Sequence, residues 1–385
     1  MKIKIALISC YLIVTSYSQI VVKEEIIDDG ILYKKNTNIK DTLSIDLLKI
    51  DLSNNKYELR TVKANNLLNS RETTSEMVKS LSDSGYSIIA AINADFFEED
   101  GEVVNNMISE GNIVKALIFT DSPFNPFVNS QFAVNRFNKL FIEQFVFNGK
   151  LILPNGIIES LNRVNSLPDS NSVILYNSFQ GKYTPIAKEG WYIGEIPLVQ
   201  INHSTDTIIC IVRDDFQIGG KTEIKNNFVL SANNKYARYL EREISLGDTL
   251  KVILGFNPDF KDINSLIGGW PRLVKDGQNL INNDSTIEGV IYRFSDIKHP
   301  RTGIGFSQDS STVYFITVDG RQESSSGMTL KQFADLMIEE GIYQGLNLDG
   351  GGSTTMIVKG NTVNNPSDKT GERKVGNCIV LIKKQ

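Results

Sequence analysis

The chain has 385 residues, 41% of them hydrophobic and 22% charged, a balance that supports a sizeable buried core and excludes an intrinsically disordered chain. With 40 Lys and Arg against 45 Asp and Glu the net charge is −5, so no basic surplus exists to neutralise nucleic-acid phosphates or an anionic membrane surface. Two histidines exclude a three-histidine metal centre, and three cysteines without CxxC spacing exclude a zinc knuckle.

The amino terminus reads as an export signal over residues 1–18. Lys2 and Lys4 supply the basic start, Ile5–Val14 the apolar run, and Ser16-Tyr17-Ser18 the small-x-small cleavage site. Lipid anchoring at Cys10 is not expected, because the apolar run ahead of it is too short. Cleavage leaves Cys210 and Cys378, which an oxidising compartment would allow to pair. No later apolar run reaches the ~20 residues of a membrane-spanning helix. The expected location is the bacterial periplasm or the extracellular space.

Residues 19–82 read as a small, mainly β extension. Leu43–Leu52 and Tyr57–Val62 alternate apolar and polar residues around an Asn54-Asn55 turn. Thr73 and Glu76 form a capping box for a helix that Gly85 stops. Tyr86–Ile92 is a buried-strand pattern running into Asn93-Ala94-Asp95-Phe96-Phe97. The Asn-rich stretch 120–260, with alternating runs at 172–176, 207–212 and 249–254, reads as β structure and as a candidate insertion. Asp276-Gly277 marks a tight turn.

The last 90 residues carry the strongest signals. Val313–Val318 is a buried strand ending at Asp319-Gly320-Arg321. Thr329 and Gln332 cap a helix with an apolar stripe of Leu330, Phe333, Ala334 and Met337. A short strand then reaches Asn347-Leu348-Asp349 and opens into Gly350-Gly351-Gly352-Ser353. Two strands thus each deliver an aspartate at their carboxyl ends, with one helix between them.

Three glycines allow a ligand close to the backbone, and their N–H groups with the Ser353 hydroxyl suit an anion. The Walker lysine and the GxGxxG spacing are both missing, which argues against a nucleotide. Arg301, Arg321 and Arg373 are bidentate donors for phosphate. Asp319, Asp349 and Glu372 are carboxylates for glycosyl transfer. Asn93, Asp95, His299 and Asn347 are candidates to position a sugar or phosphate. Asp95, Asp319 and Asp349 are an oxygen set for a divalent cation, Ca²⁺ or Mg²⁺.

Several segments together resemble the phosphodiester glycosidase family. They are Asn93-x-Asp-Phe-Phe, Gly268-Gly-Trp-Pro-Arg-Leu, His299-Pro-Arg-Thr-Gly-Ile-Gly, Val318-Asp-Gly-Arg, Gly327-Met-Thr-Leu, Asn347-Leu-Asp-Gly-Gly-Gly-Ser-Thr-Thr-Met, and Asn365-Pro-Ser-Asp with Gly371-Glu-Arg. The resemblance covers 83–385. Ala94, where many relatives have glycine, and Lys374, where relatives often have proline, depart from it. It implies an α+β fold: mixed β-sheets with flanking helices in one large catalytic domain over 83–385, plus the β extension.

The resemblance also implies an activity, cleavage of a sugar-1-phosphodiester at the glycosidic C–O bond. On this reading Asp349 is nucleophile or base, Asp319 the second carboxylate, and Glu372 an acid/base. Asn93, Asp95, His299, Arg301, Arg321, Asn347, Gly351, Gly352, Ser353 and Arg373 hold the substrate, a phosphodiester-linked sugar or envelope polysaccharide. Two other readings stand beside it: a carbohydrate- or phosphate-polymer-binding envelope protein without turnover, and a metal-assisted phosphodiesterase cleaving P–O.

Overall fold

Cross-strand hydrogen bonding, far more than helix packing, organises this chain. The computed structural model describes residues 20–38, 41–118, 128–204, 206–225, 227–281 and 288–384. The expected export signal and Cys10 lie outside the described residues. Among the described residues there are 27 strands in sheets of eight, fourteen and five, against four α-helices, none longer than 10 residues. The fold is therefore mainly β, which overturns the expected α+β class with flanking helices. The two capping boxes do form, at Thr73/Glu76 and Thr329/Gln332, but each starts a helix of only 10 residues. The alternating and continuous apolar runs around them are strands.

The eight-stranded sheet takes the order Ile20–Asp28, Ile31–Asn38, Leu43–Asp51, Thr312–Val318, Arg301–Phe306, Gln344–Asn347, Arg272–Lys275, Gln278–Asn279. The five-stranded sheet runs Asn361–Thr362, Met356–Val358, Ser87–Asn93, Asn377–Lys383, Tyr57–Lys63. Both join amino-terminal strands to carboxyl-terminal ones. The Asn54-Asn55 turn does not close a hairpin. It carries the chain from one sheet to the other, since its flanking strands pair with Thr312–Val318 and Asn377–Lys383. Asp276-Gly277 does close a hairpin, with φ of 52° and 71° at the two turn residues.

A shared core fills the space between these two sheets, with Ile50, Ile304, Phe315 and Leu346 from one and Ala90, Ile92, Met356 and Leu381 from the other. On the outer face of the larger sheet, the helix Leu330–Glu339 seats Phe333 and Met337 against Leu47, Ile316 and Val318. Burying such a side chain is worth roughly 1.5–3 kcal/mol. The helix Thr74–Asp83 does the same for the smaller sheet through Met77 and Val78. The fourteen-stranded sheet, built from strands within 107–268, holds its own core around Phe145, Leu198, Leu230 and Val252. Cys210 and Cys378 are buried, free, and in different sheets.

Candidate active site

The register of three strands explains why distant residues meet. Thr312–Val318 and Gln344–Asn347 each pair antiparallel with Arg301–Phe306, with Arg301 opposite Val318 and Gly303 opposite Asn347. The two outer strands are therefore parallel to one another, and both finish where the middle one begins. Asp319 and Asp349 leave the sheet on either side of Pro300-Arg301. The intervening helix returns the chain to the correct end, but a third strand sits between the two that it connects.

Asp349 is tied across both sheets. Its backbone N–H donates to the Ala94 carbonyl at 2.8 Å, just past the Ser87–Asn93 strand. Asn93, fully buried, donates from Nδ2 to the Asp349 carbonyl at 2.6 Å. Its Oδ1 accepts from Thr302 Oγ1 at 2.9 Å and from Thr355 N–H at 3.0 Å. The Asp349 carboxyl is half-buried. Burial pushes it up to about 6, against the opposing pull of Ser353, Arg373, the Gly350 N–H and Arg321. It is mostly ionised at neutral pH.

Two glycines give two arginines access to this turn. Gly351 has φ of +63°, and a Cβ there would lie 3.2 Å from Arg321 Nη1 and Nη2. A Cβ on Gly352 would lie 2.2 Å from both Arg373 Nη2 and Asp368 Oδ1. Arg373 grips Asp368 in a bidentate pair, Nε to Oδ2 at 2.8 Å and Nη2 to Oδ1 at 3.0 Å. Arg321, itself at φ of 60°, donates from Nη2 to His299 Nδ1 at 3.1 Å.

Arg301 is buried beside them and is held by backbone carbonyls alone. Nε donates to Met328 O at 2.9 Å, and Nη2 to Phe294 O at 2.7 Å and Ile297 O at 3.2 Å. Burial, with Arg321 nearby, lowers it to about 9. Among the described residues no carboxylate pairs with it. A buried cation without an acidic partner is costly, and an anionic ligand would compensate it.

Other polar atoms around the turn are unsatisfied. Asn347 directs Nδ2 to the carbonyls of Trp270 (2.7 Å) and Leu348 (2.9 Å), while its buried Oδ1 has no partner among the described residues. The buried Thr354 hydroxyl likewise has no partner among the described residues, and the buried Ser353 hydroxyl faces the Asp349 carboxyl. Alongside lies an aromatic group that sequence reading did not single out. Trp270 stacks on Phe294 at 4.6 Å, Phe96 meets both edge-on, and the Arg301 guanidinium lies 5.1 Å from the Phe294 ring centre. Phe96 and Trp270 sit inside the motifs noted above, whereas Phe294 carries no sequence signal.

Three expected site carboxylates are engaged elsewhere. Asp319 Oδ1 accepts from Asn365 N–H at 3.0 Å and Asn364 Nδ2 at 3.2 Å, and burial raises its pKa. Asp95 accepts from Asn105 N–H and Nδ2 at 3.1 and 2.8 Å. Burial pushes it up to about 7. Glu372 accepts from Ser75 N–H at 3.1 Å, from the Ser75 hydroxyl, and from Thr362 Oγ1 at 2.6 Å, which places it at the start of the helix Thr74–Asp83. Among the described residues no three His, Cys, Asp or Glu side chains gather to hold a metal ion. Asp95, Asp319 and Asp349 thus do not fit the expected Ca²⁺ or Mg²⁺ set. A cavity of 610 Å³ lined by Glu98, Glu102, Arg163 and Lys188 contains none of these site residues.

Comparison with known proteins finds likenesses to parts of this chain. Residues 206–382 match the family described as phosphodiester glycosidase. The SPbeta prophage-derived uncharacterized protein YomE of Bacillus subtilis (strain 168) is 45% identical over 114 residues, 30% of this chain and 16% of that protein. The N-acetylglucosamine-1-phosphodiester alpha-N-acetylglucosaminidase of Mus musculus is 29% identical over 110 residues, 27% of this chain and 21% of that one. The chain thus matches about a fifth or less of the length of these relatives. A crystal structure of a hypothetical protein from Synechocystis shares the fold, with a TM-score of 0.71 and 17% identity over 94% of this chain and 64% of that one.

Proposed function

We propose, from the match of residues 206–382 to the phosphodiester glycosidase family, that the protein hydrolyses a sugar-1-phosphodiester at the anomeric C–O bond. Water supplies the new oxygen on C1. The C1–O bond breaks with its electron pair leaving on the phosphate, so the products are a free sugar and a phosphomonoester. The observation that carries this reading is the convergence of Arg321 and Arg373 on the glycine turn that bears Asp349, with Arg301 buried near Arg321 and lacking an acidic partner among the described residues.

Ordinary glycosidases need a carboxylic acid to protonate the departing alcohol. A departing phosphomonoester has a second pKa of about 6, so it leaves without that help. One ionised carboxylate and several guanidinium donors are then the appropriate equipment. Asp349 acts at C1 as nucleophile or as the base that activates water. The arginines hold the phosphate and stabilise the charge that develops on it. The Trp270–Phe294 stack offers an apolar surface to a sugar ring, and Asn347 Oδ1 an acceptor for a sugar hydroxyl. Glu372 serves as a helix cap in this reading, and Asp319 as an anchor for residues 364–365.

The substrate class would be a phosphodiester-linked sugar, as in an envelope polysaccharide, met outside the cytoplasm. The signal-like residues 1–18 support export, and no helix of the described residues is long and apolar enough to cross a membrane. The test is a panel of sugar-1-phosphodiesters in ¹⁸O water, with products weighed. Label in the sugar, and loss of turnover in D349N with an unchanged fold, supports the reading. Label in the phosphate would establish P–O cleavage instead. Tight binding across the panel without turnover would establish a binding protein.

A further inference from the structure

The contact between Arg321 and His299 fixes a proton that coordinates alone do not show. A guanidinium N–H can only donate, so at 3.1 Å from Arg321 Nη2 the His299 Nδ1 must be an acceptor. The proton of the neutral ring then lies on Nε2, which faces the Arg293 carbonyl at 3.2 Å and donates to it. Both ring nitrogens are satisfied in this tautomer and in no other. The ring is held in turn by its own backbone, which pairs with Met328 in both directions at 3.1 and 3.0 Å. Gly327 packs so closely that a Cβ would lie 2.4 Å from the His299 carbonyl.

From this we infer that His299 is a positioning residue: as a neutral Nε2–H imidazole it aims Arg321 at the substrate phosphate, and protonation at Nδ1 releases Arg321 and weakens phosphate binding. An added Nδ1 proton would point at an N–H donor, turning a hydrogen bond into a repulsion between two cations. Arg321 depends on this anchor because its backbone has φ of 60°, a region that non-glycine residues hold only under constraint, and because no ion pair secures its guanidinium among the described residues. Its other contact is the face of the Gly351 turn, beside Asp349. The charged groups bearing on His299 are Arg301 and Arg321, both cations. Together with burial they hold the imidazole below its usual pKa, so the acceptor form persists through neutral pH.

The inference rests on the phosphodiester reading for its effect on turnover, but not for the tautomer. A phosphodiester keeps a single negative charge through the neutral and mildly acid range, so acid-side losses of kcat/KM belong to the protein. Two ionisations contribute: Asp349 must be unprotonated to act, and His299 must be unprotonated to hold Arg321.

The experiment has two arms. In the first, long-range ¹H–¹⁵N spectra of the full chain are recorded against pH, with H299Q identifying the signal, since only His203 and His299 are present. The expected result is the Nε2–H tautomer at neutral pH, protonated only in acid. The Nδ1–H tautomer, or an imidazolium at neutral pH, overturns the inference whatever the activity. In the second, kcat and KM are measured with the methyl ester of N-acetylglucosamine 1-phosphate. H299A should raise KM tenfold or more with a smaller change in kcat. H299Q, whose amide oxygen still accepts from Arg321, should recover part of that loss. The acid limb of log(kcat/KM) should steepen from slope one to slope two in the parent chain and stay at one in H299Q. An H299A variant with the parent KM, or equal slopes in both chains, overturns it. Absence of turnover in the parent chain with every diester counts against the function and leaves the spectra to decide the tautomer.

Discussion

The side-chain amide of Asn93 donates to the backbone carbonyl of Asp349 at 2.6 Å, across the gap between the five-stranded and eight-stranded sheets. The same amide accepts from Thr302 and Thr355, so one buried side chain fastens three segments of the site. Removing it strands three buried polar groups, each worth about 1–3 kcal/mol. Asn93→Ala should therefore lower the unfolding free energy by roughly 2–4 kcal/mol, and kcat/KM by more than tenfold, because the Asp349 turn loses its tether. Urea unfolding and kinetics on the folded fraction check this. A variant with parent stability would show that the amide is replaceable by solvent.

The glycine turn makes a second prediction, about substrate capture and not folding. A methyl group on Gly352 would intrude on the Arg373–Asp368 pair at 2.2 Å from each partner. That pair is partly exposed, with side-chain exposures of 41% and 29%, so its contribution to stability is small. Gly352→Ala and Arg373→Lys should each raise KM about tenfold, the worth of one charge-assisted bond, with little change in melting temperature. Equal losses in kcat at constant KM would move Arg373 from phosphate binding to the transition state alone.

The sequence exposed the parts of this site better than their assembly. The capping boxes, the Asp276-Gly277 hairpin and the strands around 43–51, 313–318 and 345–347 are local and periodic, and each formed as read. The placement of Asn93 beside Asp349 is non-local: it depends on two sheets sharing a core, which no spacing encodes. Helix content was overestimated because the family resemblance, and not the periodicity, carried that expectation. Phe294 went unnoticed because a lone aromatic in a loop-rich stretch has no pattern. Glu372 entered the candidate set as a carboxylate of the Gly371-Glu-Arg segment; its neighbour Arg373 faces the Asp349 turn, while its own carboxylate turns toward Ser75.

Buried carboxylates set an unusual pH trend. Asp95 is pushed up to about 7 by burial, only partly offset by Asn105 and Lys115. In the folded protein it therefore holds its proton across a window where the unfolded chain has released it. The folded state binds more protons there, so its stability falls as pH rises from about 4 to about 7. Asp95→Asn cannot ionise and escapes this loss. The melting-temperature difference, variant minus parent, should grow more positive between pH 5 and pH 8. A difference that is flat with pH would show that Asp95 ionises freely in the folded state.

Glu372 and Asp349 can be separated by the same isosteric change. Glu372 caps the amino end of the helix Thr74–Asp83, accepting from the Ser75 backbone N–H and hydroxyl, and ties the Asn361–Thr362 strand to it through Thr362. A cap of this kind contributes about 1 kcal/mol, helped by the positive end of the helix. Gln retains an oxygen for the Ser75 N–H, so Glu372→Gln should cost about 1 kcal/mol of stability or less and leave turnover within a few-fold. Asp349→Asn keeps the backbone tethers to Ala94 and Asn93 but removes the charge, and should lose turnover by about three orders of magnitude while melting normally. Paired thermal melts and initial rates on the two variants decide the matter. A Glu372→Gln chain as inactive as Asp349→Asn would make Glu372 part of the chemistry and give the proposed reaction the two-carboxylate equipment that its leaving group does not require.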